Sequence, residues 1–401
     1  MSICIVIAAS ERHDPTHIAR VMRIAEEASR GLDSRTIIAT SPEDLPQGCK
    51  GLAVILATGG TEHILLEAYN THKAPMTAVG LPMANSISSL AEASPLVRDR
   101  VHIAVLPGLG RDSVGTLREA LYGLAAASKV YGSRILLIGE PSPWLVHDPA
   151  PLLEKLSIEL VKLDPEDFSA MVAKGGWREA EELLAKAESA DYSPGEPEGS
   201  LSVARSVFKA AYSMGADAVS PACIRFLHLT GSNACLAHAL QHLGGVVVGC
   251  EGDITATLSL LLASKAQGSP AWQANIAGAW EDRLLLAHCS APLSMASRFR
   301  LRRHFITGGS VTVEAVIKYG SVTLLRLDPQ GRGAVVLEAE VLDPEPRLEM
   351  QCETQLLVKA PGIELVVRGI GNHYAVTRGG LGYRLRAAIE SLGLTSLWPL
   401  K

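Results

Sequence analysis

Apolar runs alternate with helical patterns along the first third of the chain. The helical stretches include His17–Gly31 and Thr61–Tyr69. The strand-like runs are Ile3–Ala8, Thr36–Ala39, Leu52–Ala57, Thr77–Val79 and Val101–Leu106. Strands that alternate with helices form parallel sheets in which both faces are covered. The pattern therefore predicts a doubly wound, Rossmann-like domain over residues 1–130.

The same alternation starts again at Arg134–Ile138 and continues to the run Val246–Cys250. It predicts a second doubly wound, Rossmann-like domain over residues 131–297. A polar stretch rich in proline and glycine, Ser189–Ser200, interrupts the pattern and is expected to form an exposed loop.

From about Arg300 onward the segments become short, β-branched and alternating, which is typical of antiparallel strands. The segments are Ser310–Ile317, Ser321–Leu327, Gly333–Val341, Gln355–Lys359 and Ile363–Val367. They predict an antiparallel β domain over residues 298–401, which ends with the helical stretch Leu381–Ser391.

The amino-acid composition and net charge indicate which classes of protein and partner fit the chain. Hydrophobic residues make up 47% of the 401 residues and charged residues 20%, as in globular proteins. The net charge of -5 argues against a nucleic-acid partner, which would need a clustered basic surface. The basic cluster is expected to be a solvated connector between domains, and its members are Arg298, Arg300, Arg302, Arg303 and His304.

The cysteines and the apolar runs bear on the cellular environment. Seven scattered cysteines without a Cys-x-x-Cys pair predict neither a disulfide framework nor a zinc finger. The first apolar run is too short for a signal peptide, and none of the runs approaches the roughly 20 residues of a membrane helix. We therefore expect a soluble, cytoplasmic protein without a membrane partner.

Ligands of parallel sheets collect at the carboxyl ends of strands, and three strand ends here carry candidate side chains. The first is Thr58-Gly59-Gly60-Thr61-Glu62. Its two glycines would let the backbone approach a hydroxyl-rich or anionic ligand, but an ordinary turn with Thr61 as helix N-cap explains the segment equally well. The second is Gly139–Trp144, where Trp144 either stacks on a sugar or covers a buried turn.

The third strand end, Val246–Asp253, has the strongest pattern. Asp253 fits a helix N-cap better than a ligand contact. Glu251 is harder to explain structurally, because a carboxylate after a buried strand needs a partner such as a metal ion or a substrate hydroxyl. His288 ends another apolar run, and His373 is expected in a turn before the last helix. Together with Glu251, the two histidines predict a metal site.

Four segments of the chain resemble the L-fucose isomerase-like family of sugar isomerases. They are Thr58–Glu62 with Asn85-Ser86 downstream, Gly139–Leu145, the stretch from Cys235 through Cys250–Asp253 to His288-Cys289, and Gly371-Asn372-His373. The resemblance implies two Rossmann-like domains and a β-barrel-like domain, assembled as homotrimers or hexamers with sites between subunits. It also implies a sugar substrate, for which Thr58, Gly59, Gly60, Glu62, Trp144, Asp253 and Asn372 are the expected contacts.

In that family Mn²⁺ is held by a Glu, an Asp and a His, and the two acids move a proton between C1 and C2 through an enediol. Glu251 matches the family's Glu and His373 its His, whereas Asn275 stands where the Asp is expected. An amide can coordinate a cation but cannot transfer the proton. His288 resembles an additional metal-binding His in the related arabinose isomerases.

The leading hypothesis is therefore a Mn²⁺-dependent aldose–ketose isomerase centred on Glu251, with His288 and His373 as ligands and Asn275 beside them. A second hypothesis is carbonyl or lyase chemistry on an acidic or phosphorylated sugar, held by Arg225 and His228. The third is a sugar-binding relative that lost catalysis together with the second acid.

Overall fold

The computed structural model describes residues 3–172, 175–193 and 195–397, without the side chains of Ile224 and Arg225. The described residues form two compact units. The first comprises the chain up to Tyr131 together with Tyr383–Leu397, and the second comprises Gly132–Gly382. Each unit mixes α-helices with β-sheet, and no described helix combines the length and apolar character that a membrane crossing needs.

The first unit is built on a five-stranded parallel sheet in the order β2-β1-β3-β4-β5. Its elements, numbered in chain order, are β1 Ile3–Ala8, α1 Pro15–Ala28, β2 Ser34–Ala39, β3 Gly51–Leu56, α2 Glu62–Thr71, β4 Met76–Gly80, α3 Ser86–Val97, β5 Val101–Val105, α4 Arg111–Val130, and, at the end of the chain, α14 Gly382–Ser391 and β18 Thr395–Ser396. Alternate residues of β1 face opposite sides of the sheet: Ile5 packs in the cluster with α1 and α4, and Val6 in the cluster with α2 and α3.

The second unit contains a four-stranded parallel sheet and a larger antiparallel one. Its elements are β6 Arg134–Ile138, α5 Ala150–Lys155, β7 Glu159–Leu163, α6 Pro165–Met171, α7 Arg178–Leu184, α8 Glu196–Ser213, β8 Ala218–Pro221, α9 Cys223–Thr230, α10 Cys235–Ala239, α11 Gln241–Gly244, β9 Val247–Val248, α12 Ile254–Gln267, β10 Trp272–Trp280, β11 Arg283–His288, β12 Ala296–Arg303, β13 Val311–Ile317, β14 Ser321–Leu327, β15 Gly333–Asp343, β16 Thr354–Lys359, α13 Gly362–Arg368 and β17 His373–Arg378.

The parallel sheet has the order β7-β6-β8-β9. The antiparallel strands follow the order β14-β17-β10-β11-β16-β15, and β14 also pairs with β15. The pairings of these six strands therefore return to their starting strand. Strands β12 and β13 form a separate antiparallel pair.

The sequence predicted α/β structure with parallel sheets followed by antiparallel strands, and this coarse order is confirmed. The division of the chain into units differs from the predicted domain boundaries. Strands β10 and β11 lie within the range 131–297 but pair with the antiparallel strands, because each is hydrogen-bonded to a strand from the C-terminal part of the chain. Helix α14, expected with the β domain, belongs to the first unit from Tyr383 onward.

Two local predictions were wrong. The expected loop Ser189–Ser200 contains the start of α8, whose first turn carries Pro197 and two acids, as helix starts prefer. The expected strand Ile363–Val367 is the helix α13. An added Cβ on Gly362 would lie 2.0 Å from the Arg283 carbonyl oxygen, so this helix start fits its surroundings only as glycine.

The basic cluster is part of a strand rather than a solvated connector. Arg300 and Arg302 on β12 both pair with Glu314 on β13, at 2.7 and 2.5 Å. Arg300 also pairs with Glu345 at 2.6 Å. The acidic partners lie 12 to 45 residues farther along the chain, outside the charge run, which therefore looked unpaired in the sequence. In addition, Cys4 and Cys49 form one disulfide that the scattered cysteines did not predict.

Candidate active site

Glu251 lies in the loop between β9 and α12 and is held in an unusual conformation. Its φ angle is +61°, in the left-handed region that residues other than glycine seldom adopt. The loop after β6 contacts it twice: Ser142 donates its backbone N–H to the Glu251 carbonyl at 2.9 Å, and Trp144 donates its indole N–H to Oε2 at 2.5 Å. The second and third predicted strand ends therefore meet at this carboxylate.

The structure brings Glu251, His288 and His373 together. One ligand atom from each residue lies within 4.8 Å of the others, and Oε2 of Glu251 is 3.6 Å from Nε2 of His373. His288 is the last residue of β11 and His373 the first of β17, rather than a turn residue as predicted. These two strands flank β10, which explains how residues so far apart in sequence converge.

His373 is oriented by Asp253. The carboxylate oxygen Oδ2 of Asp253 lies 2.8 Å from Nδ1 of His373 and 3.1 Å from a guanidinium nitrogen of Arg326. Burial by itself would raise the pKa of Asp253, but the charge of Arg326 and the hydrogen bond with His373 outweigh it and lower that pKa. An ionised Asp253 keeps the proton of His373 on Nδ1, so the lone pair of Nε2 faces Glu251.

Asp253 is also the N-cap of α12, as the sequence predicted, because its Oδ1 accepts the backbone N–H of Ala256 at 2.8 Å. Both carboxylate oxygens are therefore engaged inside the protein, and the side chain is only 6% exposed. This arrangement makes Asp253 a positioning residue for His373, and the substrate contact that the family resemblance implies for Asp253 stays a prediction.

His288 is a buried polar side chain without hydrogen-bond partners among the described residues. Its side chain is 2% exposed, and neither ring nitrogen has a hydrogen-bond partner. Desolvation, with smaller contributions from the neighbouring His238 and His373, holds the pKa of His288 well below its ordinary value. A buried neutral imidazole without partners is destabilising by about 1–3 kcal/mol, which a bound cation would offset.

A polar network connects β10 to the Glu251 loop. Gln273 on β10 accepts the backbone N–H of Cys250 at 3.0 Å through Oε1. His238 donates from Nδ1 to the Val248 carbonyl at 2.7 Å, and its Nε2 accepts the backbone N–H of Gln273 at 3.4 Å. Burial lowers the pKa of His238 to about 4, so it stays neutral in this role.

Asn275 and Asn372 lie at the edge of the histidine pair. Asn275 is directly opposite His373 on β17 and Ala287 on β11, so it lies between the two strands that carry the histidines. Its amide oxygen is 3.4 Å from the amide nitrogen of Asn372, whose own oxygen accepts the Ile276 backbone N–H at 2.9 Å. The catalytic role of Asn275 and the substrate contact by Asn372 stay predictions.

The remaining predicted contacts belong to the first unit. Thr58, Gly59 and Gly60 lie in the loop after β3, and Glu62 is the first residue of α2. Ser89 accepts the Gly60 backbone N–H at 2.8 Å and donates to Glu62 at 2.6 Å. Thr61 is the N-cap of α2 in position, but its hydroxyl donates to the Thr58 carbonyl instead of capping the helix. A cavity of about 410 Å³ adjoins this turn.

The sequence alone did not predict that Arg326, His238 and Gln273 contribute to the site. Arg326 had a detectable pattern, because it is a charged residue inside the apolar run Val322–Leu327, and such a residue needs a buried partner. His238 and Gln273 had no such pattern. The side chain of Arg225 lies outside the described residues, and His228 is exposed on α9.

No protein-family model matches the sequence, and no curated protein matches it either. The family resemblance therefore stays an expectation.

Proposed function

We propose that the second unit binds a divalent metal ion, Mn²⁺ in the first instance, through Glu251, His288 and His373 and catalyses aldose–ketose isomerisation of a monosaccharide. The buried His288 supports the proposal most strongly. Neither of its ring nitrogens has a hydrogen-bond partner in the described part of the chain, and the side chain lies next to the carboxylate of Glu251 and the ring of His373. Two imidazoles and one carboxylate suit a divalent transition metal and leave coordination positions for substrate.

The residues have separable tasks in this proposal. A metal ion bound here would polarise the substrate carbonyl and stabilise negative charge on the sugar oxygens. Glu251 takes the proton from the carbon next to the carbonyl and returns it to the carbonyl carbon. The proton of the neighbouring hydroxyl moves to the carbonyl oxygen, so the two sugars interconvert through an enediol. The indole N–H of Trp144 holds Glu251, and the exposed ring face of Trp144 is available for stacking on the sugar.

Asn275 restricts the mechanism to a single base. Its amide can hold a substrate hydroxyl or a cation but cannot accept the proton that the expected Asp would transfer. We therefore assign proton transfer between the carbons to Glu251 and assign Asn275 to substrate orientation. As the resemblance implies, we interpret the two parallel sheets as Rossmann-like, the ring of six strands as barrel-like and the assembly as a cytoplasmic homotrimer or hexamer.

The test is turnover in deuterated water. Protein freed of metal by chelation and reloaded with Mn²⁺ is incubated with a panel of aldoses and ketoses and followed by NMR. We expect interconversion of one pair, with deuterium entering at C1 or C2. Glu251→Gln should abolish it, whereas Glu140→Gln, an exposed acid in the loop after β6, should not.

Two results would contradict the proposal. One is an absence of exchange or conversion with every sugar, which would favour a sugar-binding protein if calorimetry still detects binding. The other is conversion that Glu251→Gln leaves intact. Turnover confined to uronates or sugar phosphates would favour the lyase-type alternative instead.

A further inference from the structure

A second group of metal-ligating side chains lies beside the Glu251 cluster in the same unit. Ligand atoms of Cys235, Cys289 and His304 all lie within 4.8 Å of one another, and all three residues are buried. Cys352 adds a third thiol, with its Sγ 3.8 Å from that of Cys289. None of these three cysteines is in a disulfide.

The sulfur separation excludes a disulfide between Cys289 and Cys352 and is compatible both with two thiols in contact and with two ligands of one metal ion. A disulfide bond is about 2.05 Å long, so Cys289 and Cys352 are not bonded to each other. Two thiolates on one tetrahedral zinc ion, each about 2.3 Å from the metal, are separated by about 3.8 Å. The observed distance has this value.

His304 is held in an orientation that suits a ligand. Its Nδ1 lies 3.1 Å from the Thr307 hydroxyl, and that hydroxyl donates its own proton to the Gly309 carbonyl at 3.2 Å. The backbone N–H of Thr307 also donates to Nδ1, at 3.3 Å. A metal ion on Nε2 therefore requires the ring proton to move to Nδ1, where the hydroxyl oxygen can accept it. Metal-bound histidines commonly have their second nitrogen fixed in this way.

Hydrogen bonds also fix the segments that carry the ligands. Ser310, at the end of the His304 loop, accepts the backbone N–H of Asn233 at 2.8 Å. Asn233 in turn accepts the backbone N–H of Cys235 at 3.3 Å. Cys289 directly follows β11, and Cys352 lies two residues before β16. Two ligands thus lie next to the ends of paired strands, one begins helix α10, and one lies in the loop after β12.

We propose that Cys235, Cys289, His304 and Cys352 form a tetrahedral structural zinc site. Three cysteines and one histidine are a common closed zinc set, without an open position for a substrate. On binding, the three thiols release their protons to solvent and no electrons are transferred. The half-buried Cys352 turns toward Cys235 and His304 to complete the set. The site fixes the end of β11 and thereby His288, the residue before Cys289.

The first experiment uses the purified full-length chain. Elemental analysis should find about one zinc per chain that survives gel filtration. After removal of zinc, Co²⁺ should give the absorption of tetrahedral cobalt–thiolate coordination. An unmodified chain that takes up neither Zn²⁺ nor Co²⁺ would overturn the proposal, as would a disulfide between any of the three cysteines under non-reducing mass spectrometry.

Matched variants identify the ligands. Cys235→Ser and Cys352→Ser should lose the cobalt–thiolate absorption and retain little zinc. Cys223→Ser, a buried cysteine outside the group, and Glu349→Gln, an exposed acid three residues before Cys352, should both keep about one zinc. Equal loss in these two controls would overturn the assignment. Glu251→Gln should also keep its zinc, so failure of the isomerase proposal and failure of the zinc proposal are distinguishable.

Discussion

At the scale of the residue, the conformation of Glu251 depends on the glycine that follows it. Gly252 has a φ angle of +72°, and an added Cβ would lie 2.8 Å from the Cα of Pro141. Gly268, at the other end of α12, has a similar φ of +78° but open space around the same position. Substitutions at these two glycines therefore separate the effect of backbone strain from the effect of steric crowding.

Gly252→Ala should therefore destabilise the second unit by about 2–3 kcal/mol, against about 1 kcal/mol for Gly268→Ala. Urea unfolding measures both values. Equal destabilisation by the two substitutions would show that the packing of Pro141 against Gly252 does not fix the loop.

Asp253→Asn tests the orientation of His373. The amide keeps an acceptor for Ala256 but removes the charge that faces Arg326 and the anionic acceptor of the His373 proton. We expect Mn²⁺ binding to weaken by about 10–100-fold. Asp164→Asn, an exposed N-cap residue without a side-chain capping bond, is the control. An unchanged Mn²⁺ affinity in a folded Asp253→Asn protein would contradict the positioning role.

The sequence predicted the cap at Asp253 and a metal site at Glu251, His288 and His373 because each has a local pattern. It could not predict that Asp253 pairs with both His373 and Arg326. Those contacts join α12 to β17 and β14, and no spacing in the chain encodes them.

At the scale of the element, helix α4 packs against α14 through one glycine. An added Cβ on Gly123 would lie 2.5 Å from the Arg384 carbonyl oxygen and 2.9 Å from the Ala387 Cβ, whereas Gly115 on the same helix has open space. Gly123→Ala should lower the stability of the first unit by about 2 kcal/mol.

Gly115→Ala is the matched control and should raise that stability by about 0.5–1 kcal/mol, because alanine restricts the unfolded chain. Thermal unfolding monitored by circular dichroism compares the two. Stabilisation by both substitutions would mean that the contact between α4 and α14 does not form in solution.

The ion pairs of β12 give a prediction about pH. Hydrogen bonds from Arg347, and then from Arg300 and Arg298, lower the pKa of Glu345 from its ordinary 4.5 to about 2. A lowered pKa stabilises the fold above the unfolded value, and this contribution is lost as the pH falls from about 4.5 to about 2.

Glu345→Gln should therefore reduce stability by about 1 kcal/mol at pH 6, after allowance for solvent screening, and by almost nothing near pH 2. Urea unfolding over this pH range measures the difference, and the exposed Glu349→Gln serves as control. A difference that is constant with pH would contradict the assigned pKa.

The strands of the parallel sheets were predictable because burial on both faces produces unbroken apolar runs. Helix α13 was not, since its alternating run Ile363–Val367 imitates a strand although most of those side chains are exposed. The helix begins at Gly362, where the backbone packs against the carbonyl oxygens of Trp280 and Arg283.

At the scale of the whole molecule, the order of sheet types along the chain could be predicted, but the grouping of elements into units could not. The pairing of β10 with β17 and the return of α14 to the first unit join residues about a hundred or several hundred positions apart. Such non-local choices are made by the packing of complete faces rather than by any local pattern.

Strands β11 and β17 lie on either side of β10. This pairing brings His288 and His373 together beside Glu251, although the three residues are far apart in the sequence. We propose that this site binds a divalent metal. Titration of the chelator-treated protein with Mn²⁺, with free Mn²⁺ followed by electron paramagnetic resonance, measures this binding.

We expect one Mn²⁺ per chain to be bound, and we expect His288→Leu, which fills the same buried space without a ligand nitrogen, to abolish this binding while the protein stays folded. Equal Mn²⁺ binding by the unmodified protein and by His288→Leu would contradict the proposed metal site.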